Sequence, residues 1–235
     1  MRPYRLACAI SIVALLCAPG AVRAQFVTPD KAGGAGTLPA TIPIFPLQDV
    51  MLFPNISRPL HIFEPRYRAM VADALKGDRI IGMVLLRAGY EAEYEGRPPV
   101  YPIGCAGVIT DFEELPDGRY LIVLRGLVKF RVTSEDQRRP YRLARVEAIP
   151  EVSDDEQKAA VRRQRPRLTA LLAEAAAPGS KPPPESLPDE DLVNGLAQYL
   201  DVDPIERQEL LEQKDVVSRS QALIDLLEAR VRPPR

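Results

Sequence analysis

The sequence predicts an α+β fold: a closed or nearly closed mixed β-barrel with one inserted helix, followed by a C-terminal helical bundle. Three observations predict it. From Ile42 to about Pro150 the apolar residues come in short runs punctuated by proline and glycine. Within that region a single stretch, Glu64 to Lys76, carries a helical period. After Pro150 the apolar residues recur at helical spacing behind cap signals.

The first 24 residues read as a secretory signal peptide. Arg2 and Arg5 precede an apolar run from Leu6 to Ala18, and Val22-Arg23-Ala24 offers small residues where a signal peptidase reads. The run is too short for a membrane span, which needs about 20 residues. Export to the periplasm or medium after cleavage near Ala24 is therefore expected. Residues 25–40, Gly-rich and without periodicity, read as a flexible leader.

The barrel region is expected over residues 41–150. Ile42 to Leu47 and Ile56 to Ile62 are proline-bearing runs suited to edge or bent strands. In the helix that follows, Tyr67, Met70, Val71, Ala74 and Leu75 share one face, Pro65 suits the first turn and Gly77 the stop. Arg79 to Leu86 is a stronger strand. Pro102 to Phe112 and Tyr120 to Leu124 flank the turn Leu115-Pro116-Asp117-Gly118. Leu127 to Val132 and Tyr141 to Ile149 complete the set.

The helical region is expected over residues 151–232. Ser153 to Glu156 reads as a capping box, and Pro166 should kink or split the helix it opens. A loop spans Pro178 to Pro188. Leu192, Val193, Leu196 and Leu200 mark a second helix. Asp203-Pro204-Ile205-Glu206 starts a third, and Asp215 caps a last one lined by Leu223, Leu226, Leu227 and Val231. Three or four helices packed as a bundle are expected.

Composition excludes several chemistries. The 235 residues hold 31 basic and 32 acidic side chains, one histidine, no tryptophan and three cysteines. Removing the signal would take three arginines and two of the cysteines, leaving 28 bases against 32 acids and Cys105 alone. Soft ligands are then too few for a Cys/His zinc site, and no internal disulfide can form. Cys105 reads as a buried inert thiol. No cofactor is expected.

Each cluster that could carry chemistry also has a simpler role. His61, the sole histidine, lacks a G-x-S-x-G elbow and reads as packed or surface. Glu91, Glu93 and Glu95 read as a solvated face; Asp111, Glu113, Glu114 and Asp117 as a solubilising turn. Arg138, Arg139, Arg142 and Arg145, then Lys158, Arg162, Arg163, Arg165 and Arg167, could bind a polyanion, but the acidic balance argues against nucleic acid. Aromatic residues near segment ends are the remaining candidates.

The stretch from Ile42 to Val71 resembles the start of the Lon substrate-binding domain. Pro43, Phe45-Pro46-Leu47, Phe53-Pro54, Pro59-Leu60 and Phe63-Glu64-Pro65-Arg66-Tyr67 carry the resemblance. Ile103-Gly104, Gly107, Leu115 to Tyr120, Gly126 and Phe130-Arg131-Val132 extend it in order, and the helical tail is similar in kind. The resemblance implies a PUA-like barrel, a helical subdomain, and recognition of proteins or peptides. Lon proteases add an ATPase and a Ser–Lys protease. No G-x-x-x-x-G-K-[ST] occurs here, so a stand-alone, non-enzymatic adaptor or holdase that uses no ATP is expected. A peptidase S16 label would reflect the family name. Phe53, Phe63, Arg66, Tyr67, Tyr90 and Tyr94 are the expected peptide-binding residues, facing unfolded or specific partner proteins. The alternatives are a small-ligand or hydrolytic enzyme built on a barrel pocket, and polyanion binding through the arginines.

Overall fold

A computed structural model describes residues 38–90, 96–136, 138–151, 154–175 and 181–231. The expected signal peptide, most of the leader and Tyr94 lie outside the described residues, as do Glu91, Glu93, Glu95 and Ser153.

Among the described residues, six strands and five helices follow in two runs. The first holds β1 (Thr41–Leu47), β2 (Ser57–Ile62), α1 (Pro65–Lys76), β3 (Ile80–Leu85), β4 (Ile103–Glu114), β5 (Tyr120–Asp136) and β6 (Arg142–Ile149). The second holds α2 (Asp155–Ala175), α3 (Asp189–Tyr199), α4 (Pro204–Glu212) and α5 (Val216–Val231). This is an α+β chain with a mixed sheet.

The sheet order is β2-β5-β4-β3-β1-β6, and β6 also pairs β5. Among the described strands only β1–β3 is parallel, with Ile44 opposite Gly82. Long β5 carries β4 on one edge. Its other edge takes β2 along Tyr120 to Arg125, then β6 along Lys129 to Asp136. The sheet thus curls back on itself. Ile42, Ile44, Ile80, Val84, Phe130 and Val146 form one apolar cluster along it.

Two expectations are corrected. Tyr120 to Leu124 and Leu127 to Val132 are not separate strands but parts of β5. Gly126, between the two expected strands, lies where β5 passes close to the Phe53–Pro54 segment. A Cβ there would sit 2.0 Å from the Phe53 carbonyl oxygen, and the Gly126 N–H donates to Ile56 O at 2.9 Å. Nor does Pro166 split α2, which runs through it. Pro166 is on the exposed side, and the Thr169 hydroxyl donates to the carbonyls of Arg165 and Pro166 just after it.

Local signals account for the other ends. The Leu115–Gly118 turn closes with Gly118 at φ +76° and Leu115 N–H on Arg119 O at 2.8 Å. Asp154 accepts from Gln157 N at the start of α2. Asp203 and Glu206 form a reciprocal capping box on α4, and Asp215 accepts from Ser218 N at 2.7 Å on α5.

The helices do not build a separate core. A single apolar cluster joins Phe45, Phe53, Met70, Ile109 and Leu124 of the first run to Leu168, Leu171, Val193, Leu223 and Leu227 of the second. Polar bonds cross the same seam. The Phe53 N–H donates to Gln198 Oε1 at 2.9 Å, Asn194 donates to Pro54 O at 3.1 Å, and Gln208 donates to Ile103 O at 3.0 Å.

Candidate functional site

The segment between β3 and β4 positions the candidate site. Its two ends are zipped together: Arg87 N–H donates to Pro99 O at 2.9 Å, and Tyr101 N–H to Leu85 O at 2.8 Å. Leu86 N–H reaches across to Leu47 O, 2.9 Å. The chain therefore leaves and re-enters the sheet at one place, and a hollow opens on each side of Leu86.

The first hollow, of about 190 Å³, lies beside α1 and the start of β6. Tyr67 and Tyr141 line it with Pro46, Pro98 and Pro140, and three arginines enter it: Arg66, Arg97 and Arg142. Each is held differently. Arg66 pairs with Glu64 at 2.9 Å and lies over the Tyr67 ring, 4.6 Å from its centroid. Arg142 forks onto the Glu135 carboxylate and donates to Pro98 O at 2.7 Å, which pins the returning segment. Arg97 is exposed and donates to the carbonyl oxygens of Asp136 and Arg139. Tyr141 donates to Asp73 Oδ2 at 2.8 Å; burial, then that bond, push its phenol up to about 12.

The second hollow, of about 200 Å³, is more apolar. Leu85, Leu86, Ala88 and Tyr90 face Pro204 and Ile205 at the start of α4. Tyr90 is 41% and Ile205 45% exposed. The capping box engages the Asp203 carboxylate here, and Gln48 and Arg87 supply the rest of the polar wall.

A third cleft, of about 530 Å³, lies among the helices, with Val161, Leu187 and Val216 in its walls. Arg165 holds its margin by bonding Asp189 at 2.6 Å and Leu187 O at 2.7 Å. Half-buried Glu190 has its carboxyl pushed up by burial first, then by Glu151 and Asp191.

The expected residues divide. Arg66 and Tyr67 meet in the first hollow and Tyr90 lines the second. Phe53 is completely buried and Tyr67 nearly so, with its ring 4.4 Å from that of Phe45, so Tyr67 is wall rather than free contact. Phe53 lies out of reach of a peptide arriving from solvent, because the Arg219 guanidinium lies 5.6 Å from its ring and α3 bonds its backbone. Phe63 is 60% exposed beside His61, outside all three hollows. Arg97, Tyr141 and Ile205 had no signal in sequence, since nothing local brings them together.

The arginine clusters are mostly committed to carboxylates. Arg138 pairs with Asp136, Arg139 with Asp73, Arg162 and Arg165 with Asp189, and Arg167 with Glu228. They do not make an open basic stripe. Asp117 folds back onto Arg119, whose backbone N–H holds its carboxyl below the usual range.

The geometry can be set beside known proteins. A family model described as the ATP-dependent protease La (LON) substrate-binding domain matches residues 41–229. The chain is 28% identical over 196 residues to a Lon protease of Anaeromyxobacter dehalogenans, covering 81% of this chain and 23% of that protein. It is 30% identical over 198 residues to a Lon protease of Trichlorobacter lovleyi, again covering 81% and 24%. The chain thus spans about a quarter of the length of these relatives. Among solved structures, the N-terminal domain of a Mycobacterium avium complex Lon protease superposes with a TM-score of 0.58 at 19% identity, covering 80% of this chain and 98% of that one. A Lon N-terminal domain protein from Xanthomonas campestris gives 0.55 at 24% identity, covering 79% and 97%. These two share the fold.

Proposed function

The chain belongs to the Lon substrate-binding domain family, and from that membership we propose that it is a non-catalytic module that binds peptide segments of partner proteins at the two hollows flanking Leu86. The observation that carries the site is their adjacency. One hollow is mainly apolar, with Arg87 and Gln48 as its polar wall, the other is lined by three guanidinium groups, and Leu86 belongs to both. An apolar side chain in one and a polar group in the other is how a small pocket combines affinity with orientation.

The curled sheet is a PUA-like barrel, and α2 to α5 are a helical bundle docked on it. Residues 1–24 direct export, and the exported chain acts as an adaptor or holdase without ATP. The peptidase activity in the relatives' names is not carried over, because the similarity lies in the substrate-binding domain.

The test is suppression of aggregation. The full chain is incubated with a chemically unfolded model protein, and light scattering is followed. Aggregation should slow with the wild type, and much less with Ile205→Asp or Tyr90→Ala. Wild-type and variant chains that are equally inert would sink the reading. Mass spectrometry of chain recovered from the periplasm or medium should show loss of residues 1–24; an intact cytoplasmic product would refute export.

A further inference from the structure

We propose that the hollow between α1, Gly96–Pro98 and the start of β6 is a carboxylate site, taking the C-terminal carboxylate or an Asp or Glu side chain of the bound segment. This rests on the peptide-binding reading and adds the chemistry of the group recognised.

The wall holds three guanidiniums, and none of its described lining residues is an Asp or Glu. The carboxylates that balance Arg66 and Arg142, Glu64 and Glu135, are not part of that lining. Arg97 is left with two carbonyl acceptors at 3.2 and 3.5 Å, which satisfy donors without offsetting its charge. A planar carboxylate matches a guanidinium fork in shape as well as sign.

The surroundings strengthen that match. Tyr67, Tyr141, Pro46 and Pro98 are buried, so that part of the wall excludes water and lowers the local dielectric, while Pro140 stays exposed at the rim. Buried Arg142 is rigidly held, so the far side of the hollow needs no reordering on binding. About 190 Å³ holds a carboxylate and a few attached carbons, well below the roughly 300 Å³ at which drug-sized ligand pockets begin. The apolar hollow across Leu86 then receives the neighbouring side chain.

The experiment is a heteronuclear NMR titration of the full chain with N-acetylphenylalanine and, separately, its primary amide. The acid should shift the backbone amides of Gly96, Arg97, Tyr141 and Arg142 saturably, and bind less tightly as salt rises. The amide should bind at least about tenfold more weakly, a difference of one charge-assisted contact. Arg97→Ala should lose the acid response, and Arg97→Lys should keep part of it. Equal response to acid and amide, no response to either, or an unchanged titration in Arg97→Ala would overturn the assignment. So would inorganic phosphate binding as tightly as the acid. Peptides differing only in C-terminal amidation, or in an internal Glu→Gln, then separate the two carboxylate sources. Carboxylate binding without any effect on aggregation would remove the holdase reading and leave this site standing.

Discussion

Glu151 Oε1 lies 2.6 Å from the Lys129 ammonium, and the two side chains are only 8% and 2% exposed. Arg219 of α5, wholly buried, forks onto the same carboxylate, with Nη1 at 3.1 Å from Oε2. Arg219 also donates to Asn194 Oδ1 at 2.6 Å and to Leu210 O at 2.9 Å, and Lys129 donates to Gln213 O. One acid therefore serves two buried bases from β5 and α5. Burial holds the Lys129 amine below its usual range, with Glu151 pulling it back up. Charges stay ionised in such a place only when each is hydrogen-bonded.

Glu151→Gln should destabilise the chain by about 3–5 kcal/mol, because two buried cations lose the carboxylate they share. A urea unfolding curve reads this directly, and an unshifted midpoint would show that the cluster contributes nothing.

Two glycines should respond in opposite directions to the same change. Gly126→Ala places a methyl 2.0 Å from the Phe53 carbonyl oxygen, so β5 must move off its neighbour and stability falls. Gly195, inside α3, has only Ile56 Cδ1 at 3.8 Å, so Gly195→Ala should raise stability by up to about 1 kcal/mol. Thermal melts of the two variants should bracket the wild type; the reverse order would contradict the packing described.

Asp203→Ala removes an acceptor of Ile205 N–H at 2.8 Å and one side of a reciprocal pair. The expected loss is about 0.5–2 kcal/mol. Asp203→Asn should recover most of it. Equal melting of the alanine and wild-type chains would rule the cap out as a stabilising element.

Cys105 is fully buried, and burial pushes its thiol up to about 12 from an ordinary value near 9. The native thiol should resist iodoacetamide at pH 9 and react once urea unfolds the chain. The folded state keeps its proton where the unfolded state loses it, so this term lowers stability as pH rises from about 9 to about 12. Cys105→Ala should show a shallower decline over that window than wild type.

Much of this chain is legible locally. The face of α1 was readable from Tyr67, Met70, Val71 and Ala74, which are all buried, and the α4 start from Asp203-Pro204-Ile205-Glu206. Spacing and caps are short-range, and helices and turns answer to short-range forces. Local reading divides β5 into two strands, where the close approach of Phe53 to Gly126 decides, and leaves open whether α2 continues past Pro166, which it does with the proline on the exposed face.

The site was legible only in part. Arg66 and Tyr67 stand out in sequence as neighbours in a motif, and Tyr90 as an aromatic near a segment end. Phe53 belonged to the same motif, yet it is core. An aromatic side chain looks the same in sequence whether it anchors a core or greets a ligand.

By itself the sequence determined the order of elements, their capped ends, the scarcity of soft ligands and the family resemblance, because each depends on residue identity or near neighbours. Only the tertiary structure decided that Lys129, Glu151 and Arg219 share one buried cluster, and that Arg97 and Arg66 line the same hollow. Lys129 and Arg219 are 90 positions apart in the chain. Their meeting is set by how the sheet curls and which helix face it buries, and no local pattern encodes that.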